Sequence, residues 1–297
     1  MESAENHTET TTAGCRIGIS IVAHRTPTRQ LGEALACICR CPLVETVEII
    51  DNSPDDALRC YVAGLAREEP RIHYRHTANH GYGAGHNLAM RESLAAGRDY
   101  HLVMNADVNW QGDVIAAMAD FMNASPATGL SMPRVRYPDG TLQYACRMLP
   151  TPFDVFAKRF LPAALIRRRM RRYLMADADH SATFGVAYLL GSFLFFRVSA
   201  LERCGLFDER FFMYPEDIDI SRRLSECAGA VFFGGAEIVH HHQAASRRSG
   251  RMLRIHLVNM ARYFNKWGWI FDRGRRRLNR RVLASMPRAA VPERGRG

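Results

Sequence analysis

Between Arg16 and Asn105, apolar β-branched runs alternate with helical patterns, and the runs end in clusters of small and polar residues. Arg16–Ala23 reads as a first buried strand, and Pro27–Cys39 as a helix with Pro27 at its start. Glu45–Ile50 is a second strand, stopped by the turn residues Asp51-Asn52-Ser53-Pro54. Asp55–Glu68 predicts a helix and Arg71–His76 a short third strand. Gly81–Gly85 opens a further helix that runs to about Ala96. Tyr100–Met104 is the fourth strand, ending at Asn105. Strand alternating with helix argues for an α/β fold with a parallel sheet. Ligands of such sheets lie beyond the carboxyl ends of the strands. Asp51, the glycine turn and Asp107 all fall there by position alone.

The second half is less regular. Pro133–Met148 suggests strands or a hairpin around Asp139-Gly140. Thr151–Asp179 is basic, holds Pro152 and Pro162, and is expected to be a mobile or membrane-facing insertion. Phe184–Val198 is a strand pattern interrupted at Gly191-Ser192, Glu216–Cys227 a helix, Ala230–Val239 a strand and Gly250–Trp267 a helix.

The chain of 297 residues suffices for one large α/β unit. Met1–Gly14 is polar, without the apolar core of a signal peptide, and is expected to be a disordered leader. The longest apolar run, Phe184–Phe196, has 13 residues and two glycines, too few to span a bilayer. A cytosolic protein is expected. The formal net charge is +10 and is unevenly placed, with twelve basic residues from Arg247 to Arg281 against Asp272 alone. There Leu253, Leu257, Met260, Tyr263, Phe264, Trp267 and Trp269 interleave with the bases, as on an interfacial helix. A peripheral site on the inner membrane surface is therefore expected. No motif of the common nucleic-acid modules appears. The eight cysteines contain no C-x-x-C pair and are expected to be free thiols.

Several constellations could carry chemistry. Asp51 could accept from a base N–H or a ribose hydroxyl, or simply form its turn. His80-Gly-Tyr-Gly-Ala-Gly-His-Asn87 offers glycines where backbone could approach phosphate at a helix start, but it is neither a dinucleotide fingerprint nor a Walker loop. Asn105-Ala-Asp107 has the spacing of a D-x-D metal motif, or of a strand-end turn. Glu216, Asp217 and Asp219 stand behind an aromatic run at a helix start. Dipole capping accounts for one of them, and a carboxylate there could act as general base. In His240-His241-His242, neighbouring side chains on extended backbone face opposite ways, so one or two of them could bind metal.

In this order and spacing, the segments resemble the inverting family 2 glycosyltransferases of GT-A fold, and among them bacterial rhamnosyltransferases of O-antigen and related cell-surface glycans. The resemblance runs from about Ile17 to about Gly268. It is carried by Ile49-Ile-Asp-Asn-Ser53, Asn79–Asn87, Asn105-Ala-Asp-Val108, Leu190-Gly-Ser-Phe-Leu-Phe-Phe-Arg197, Gly205–Tyr214, Glu216-Asp-Ile-Asp219 and a His after the next strand. It implies a Rossmann-like nucleotide-sugar-binding half (15–110), an acceptor and catalytic half (111–245), a C-terminal amphipathic helix (246–270) and a basic tail (271–297). It implies donor contacts from Asp51, Asn52, Gly81, Tyr82, Gly83, Asn87, Asn105, Asp107, Gly191, Ser192 and Asp219. Arg197 would face diphosphate or make a structural salt bridge. Asp107, with His240 ranked ahead of His241 and His242, would hold Mg²⁺ or Mn²⁺. Asp217 would be the base, with Glu216 and Asp219 shaping the acceptor site. Where the family usually reads N-P-D, this chain has Asn105-Ala-Asp107, which keeps the ligand.

The implied reaction is a single displacement in which Asp217 deprotonates an acceptor hydroxyl and the anomeric carbon inverts. The donor implied is dTDP-L-rhamnose, with another UDP- or dTDP-sugar as the alternative. The acceptor implied is a glycan or a polyprenyl-diphosphate-linked saccharide. A basic nucleic-acid-binding module would explain the charge but not the acidic trio. The oligomeric state is left open, a homodimer included.

Overall fold

The structure, a computed structural model, describes residues 14–155, 161–241 and 250–289. The expected leader up to residue 13, His242 and the end of the expected tail lie outside these residues.

Ile17–Ala23 (β1) is parallel to both Val44–Asp51 (β2) and Tyr100–Met104 (β4), and Ile72–His76 (β3) extends the sheet beyond β2. The central strands β1 and β4 are buried on both faces: Ile17, Ile19, Ile21, Leu102 and Val103 are fully buried. Phe193–Arg197 (β10) runs antiparallel to β4 and to Leu130–Arg136 (β6). Ala230–His240 (β11) is parallel to β6 and ends beside the two-residue strand Val108–Asn109 (β5). Phe184–Gly185 (β8) also pairs with β11, and Cys146–Arg147 (β7) pairs with Tyr188–Leu189 (β9) in a small separate ladder. The main order is β3-β2-β1-β4-β10-β6-β11-β5, a mixed α/β sheet that is mostly parallel.

The register decides where the site can be. Ala23 lies opposite Asp51, Ile21 opposite Met104, and Met104 opposite Phe193. One edge therefore gathers the carboxyl ends of β1, β2, β4 and β11 with the amino end of β10. The helices are Thr28–Ile38 (α1), Arg59–Glu68 (α2), Tyr82–Ala95 (α3), Val114–Ala124 (α4), Ala163–Tyr173 (α5), Val198–Cys204 (α6), Glu216–Cys227 (α7), Gly250–Trp267 (α8) and Arg273–Ser285 (α9). The hairpin expected at Asp139-Gly140 is present, closed by Tyr137 N–H on the Thr141 carbonyl and by pairing of Arg136 with Leu142.

Four expectations change. Cys204 and Cys227 are not free thiols but a disulfide joining the ends of α6 and α7; their Cα atoms are 6.5 Å apart. The tail expected from 271 contains α9, capped by the Asp272 side chain and packed through Leu278 and Val282. Of the two readings of the basic stretch Thr151–Asp179, mobile or membrane-facing, only the first changes for the described residues near its end: Met148 N–H bonds the Tyr173 carbonyl, and Met175 and Ala178 are buried. Finally, the second half of the α8 stripe faces the core, while Leu253 and Leu257 are half-buried and Trp269 is exposed. Met260, Tyr263 and Phe264 are buried, while the Trp267 indole donates to Asp219 beneath the Arg222 guanidinium. Among the described residues no helix is long and apolar enough to cross a membrane.

Candidate active site

At the sheet edge, pairing of β11 with β5 sets His240 opposite Val108, and His241 N–H bonds the Asp107 carbonyl. His240 Nε2 consequently lies 3.2 Å from Asp107 Oδ1. The opposite ring nitrogen, Nδ1, is 2.9 Å from Gln143 Oε1. An amide oxygen accepts only, so Nδ1 is the nitrogen that donates to Gln143, which would leave Nε2 to share a cation with Asp107. Asn105 Nδ2 approaches the same Nε2 at 3.5 Å. Gln143 went unnoticed in the sequence, where a lone Gln in a hairpin gives no sign of a partner 97 residues away. One carboxylate oxygen and one imidazole nitrogen fit a divalent cation that takes its other ligands from diphosphate or water. Among the described residues, no group of three or more His, Cys, Asp or Glu side chains could enclose an ion alone. Asp107 and His240 could thus supply two ligands of such a shell.

The second centre is the start of α7. Tyr214 has φ +90°, a conformation costing on the order of 1–3 kcal/mol for a non-glycine residue. It is retained by Asn259, which donates to the Met213 carbonyl, and by His256 edge-on to the Tyr214 ring. Past this kink, Glu216 and Asp217 enter the site together. Asp217 Oδ2 accepts from Gly191 N–H at 2.9 Å and from the Tyr188 hydroxyl at 3.1 Å; Oδ1 accepts from Ile218 N–H. Burial raises its pKa to about 6, opposed by those three bonds and by the charge of Arg147. Glu216 is pushed well above the usual carboxylate range, by burial first and the Asp217 charge second. Its Oε2 has no partner among the described residues. Burial thus favours the neutral form of both adjacent acids, and of Glu216 the more strongly.

A continuous polar chain joins the two centres. The Tyr82 hydroxyl lies 2.9 Å from Asn105 Oδ1 and 2.6 Å from the Gly191 carbonyl. Gly191 N–H holds Asp217, and Asn105 N–H bonds the Ser192 carbonyl. Asn105, Asp107, Tyr82, Gly191, Ser192, Glu216, Asp217 and His240 are thus brought together in one region. The Ser192 hydroxyl is buried without a partner among the described residues.

Beyond the ends of β1, β2 and β3 lies a cavity of ≈ 640 Å³, lined by His24, Arg25, Asn52, Ser53, His76 and Arg251 among others. Its size suits a nucleoside with part of its phosphates. Four basic or imidazole side chains and no carboxylate line it among the described residues. Asp51 sits beneath, fully buried, accepting from Ser53 N–H and the Tyr74 hydroxyl. It organises the turn, and Asn52 and Ser53 form the wall.

Other expected contacts are corrected. Gly81 and Gly83 do not cradle phosphate. A Cβ on Gly81, at φ +107°, would meet the Phe212 carbonyl at 2.3 Å, and one on Gly83 would meet Phe207 Cβ at 2.8 Å. The Phe212 carbonyl also takes the Tyr82 N–H. These glycines let the 207–212 loop close over α3. Asn87 is buried and fastens the same loop, accepting from Phe207 N–H and donating to its carbonyl. Arg197 stands opposite Tyr100 at the far end of β4, bonded to the Thr128 and Met122 carbonyls, so it cannot face diphosphate. Asp219 is fully buried and saturated by Arg223, Lys266 and the Trp267 indole. It fastens helices and does not line the acceptor site.

A family model described as Glycosyl transferase family 2 matches residues 21–205. The N-acetylglucosaminyl-diphospho-decaprenol L-rhamnosyltransferase of Mycobacterium tuberculosis is 30% identical over 208 residues, 67% of this chain and 65% of that protein. The match therefore spans just under two thirds of that relative. The rhamnosyltransferase WbbL of Escherichia coli K12 is 25% identical over 62% of this chain and 70% of its own length. Among solved structures, GalNAc-T7 with UDP, GalNAc and Mn²⁺ superposes at a TM-score of 0.57, with 13% identity, over 76% of this chain and 44% of that one. The Pyrobaculum calidifontis mannosyltransferase with GDP-Man and Mn²⁺ superposes at 0.53, with 17% identity, over 84% and 63%. These two likenesses concern the fold.

Proposed function

This chain belongs to glycosyl transferase family 2, and on that premise we propose that it transfers L-rhamnose from dTDP-L-rhamnose, with inversion, to a polyprenyl-diphosphate-linked saccharide at the inner membrane surface. The observation that carries the proposal is the polar chain from the Asp107–His240 pair through Asn105, Tyr82 and Gly191 to Asp217. A donor bridging it would have its diphosphate at one end and its anomeric carbon near the other.

The nucleoside occupies the cavity between His24, His76 and Arg251, against Asn52 and Ser53. Asp107 and His240 Nε2 would hold Mg²⁺ or Mn²⁺, which when bound offsets charge on the departing diphosphate. Gln143 keeps His240 in the tautomer that ligation needs. The buried Ser192 hydroxyl offers a further polar contact beside Asn105. Asp217 Oδ2 takes the proton of the acceptor hydroxyl as its oxygen bonds to the anomeric carbon from the face opposite the leaving group. Gly191 N–H and the Tyr188 hydroxyl steady the carboxylate for that transfer. Burial favours the neutral form of Glu216, which limits its repulsion of an ionised Asp217. The rhamnosyltransferase relatives support the choice of sugar.

Incubating the chain with dTDP-L-rhamnose or UDP-sugars, Mg²⁺ or Mn²⁺, and a short-chain prenyl-diphosphate saccharide tests this. The expected product, by NMR of the new linkage, has the anomeric configuration opposite to the donor. A retained configuration would remove the single-displacement mechanism, and no transfer from any dTDP- or UDP-sugar would remove the donor assignment.

A further inference from the structure

The exposed apolar residues lie mostly in two short segments. Phe153, Leu161 and Leu165 are 49%, 40% and 76% exposed, and Trp269, Ile270 and Phe271 are 41%, 66% and 86% exposed. The fold unites the segments, since Phe153, Trp269 and Ile270 line one open cavity of ≈ 540 Å³ between α5 and α9. Five arginines share its walls: Arg169, Arg172, Arg275, Arg276 and Arg280. Arg169 lies over the Phe153 ring and pairs with Asp154, and Arg275 is buried near Asp272. Arg172, Arg276 and Arg280 are exposed and form no ion pair among the described residues. Large apolar side chains ringed by uncompensated guanidinium groups match an anionic bilayer surface, with rings and Ile in the headgroup zone and arginines on lipid phosphates.

The place of the patch relative to the candidate site adds an independent argument. Asn279 of α9 clamps Leu149, donating to its carbonyl and accepting from its N–H. Leu149 is two residues beyond Arg147 of β7, which stands opposite Tyr188, the residue whose hydroxyl holds Asp217. From Arg147 to Thr151 on the cavity wall is four residues, at most about 14 Å even if fully extended. A surface-bound chain would hold the Asp217 end of its cleft within reach of a saccharide whose diphosphate stays at the headgroups.

We propose that the α5–α9 face, with Phe153, Leu165, Ile270 and Phe271 as apolar anchors and Arg172, Arg276 and Arg280 as phosphate contacts, docks this protein on anionic lipid. The proposal deepens the functional reading above and rests on it for the identity of the acceptor. It moves the membrane element from α8, whose Met260, Tyr263 and Phe264 are buried, to a face that keeps Trp269 of the expected set.

The test is flotation of the full chain with phosphatidylcholine vesicles, with and without phosphatidylglycerol. The wild type should float with the anionic vesicles and lose them at high salt. Arg172→Gln/Arg280→Gln should weaken binding by roughly 25-fold, about fivefold per arginine, and Ile270→Ser/Phe271→Ser should abolish it. Because these side chains are exposed, melting temperatures should not change, which separates lost docking from lost folding. Transfer to a water-soluble acceptor should be unchanged, whereas transfer to acceptor embedded in anionic vesicles should fall. Equal flotation of wild type and variants, or no flotation with either lipid, overturns the proposal. So does a wild-type dimer that the variants convert to monomer, which would make the face a self-interface. Failure of transfer to the soluble acceptor in the wild type would instead count against the assigned function.

Discussion

Replacing Asp217 by Asn should cut turnover about 10²–10⁴-fold and yet remove a pH-dependent weakness in the fold. Burial lifts this carboxyl from its ordinary 3.8 to about 6. Between those values the folded chain keeps the proton while the unfolded chain has lost it. Unfolding therefore releases a proton, and stability falls as pH rises through that window. At about 1.4 kcal/mol per pH unit, the loss approaches roughly 3 kcal/mol and is complete above about pH 6. The Asn variant carries no titrating group there, so its stability should lack that fall. An amide N–H₂ set against donors from Gly191, Tyr188 and Ile218 costs the variant about 1–3 kcal/mol at every pH. The pH-dependence of the difference is therefore the clean measure. Urea unfolding of both proteins at intervals from pH 4.5 to 8, without metal or nucleotide, reads it directly. The curves should diverge in the variant's favour as the pH rises to about 6. Curves parallel throughout would mean that Asp217 ionises as freely as in water, and its selection as base would lose its physical ground. The wild-type kcat should rise over the same interval and level off, since only the ionised carboxylate accepts a proton.

Two further substitutions separate the roles of neighbouring groups. Glu216→Gln preserves the neutral form that burial already imposes, so turnover should fall less than about tenfold, against about 10²–10⁴ for Asp217→Asn; equal losses would make both acids part of the proton transfer. Gln143→Leu frees the His240 ring and should weaken Mn²⁺ binding about 10–100-fold, followed by the free-ion electron paramagnetic resonance signal, while Gln143→Glu retains it. An unchanged titration in the Leu variant would mean that His240 is oriented without Gln143.

How far these features were legible depends on the range of the interaction that creates them. Asp51, Asn105 and Asp107 could be placed because a buried apolar strand followed by polar turn residues announces its own carboxyl end, and parallel pairing then brings such ends to one edge. Asn87 and Asp219 read as ligand contacts, and Arg197 as a ligand contact or a structural bridge, because a buried polar residue that fastens two elements is written in the same letters as one that awaits a substrate. Only their partners, the Phe207 backbone, the Met122 and Thr128 carbonyls, and Lys266 with Trp267, reveal the difference. The stripe on α8 has the 3.6-residue period that serves a core or a bilayer equally well. The Cys204–Cys227 bridge spans 23 residues with no spacing motif, so it becomes visible only once α6 and α7 lie together.

These corrections converge on α7. Its first turn carries Glu216 and Asp217 into the cleft, and each later turn is tied to a different part of the chain. Asp219 takes the Lys266 ammonium and Trp267 indole at the end of α8. Arg222 makes two bonds, of 2.6 and 2.7 Å, to the buried Asp272 that caps α9. Arg223 reaches the Cys204, Gly205 and Leu206 carbonyls, and Cys227 closes the disulfide to α6. A buried base at about pKa 6 beside a neutral acid is an unfavourable arrangement that the surrounding contacts must hold against relaxation. The residues that look superfluous to the chemistry, Asp219 above all, supply that restraint. They also couple α7 to α9, and hence the proposed base to the face assigned to the bilayer.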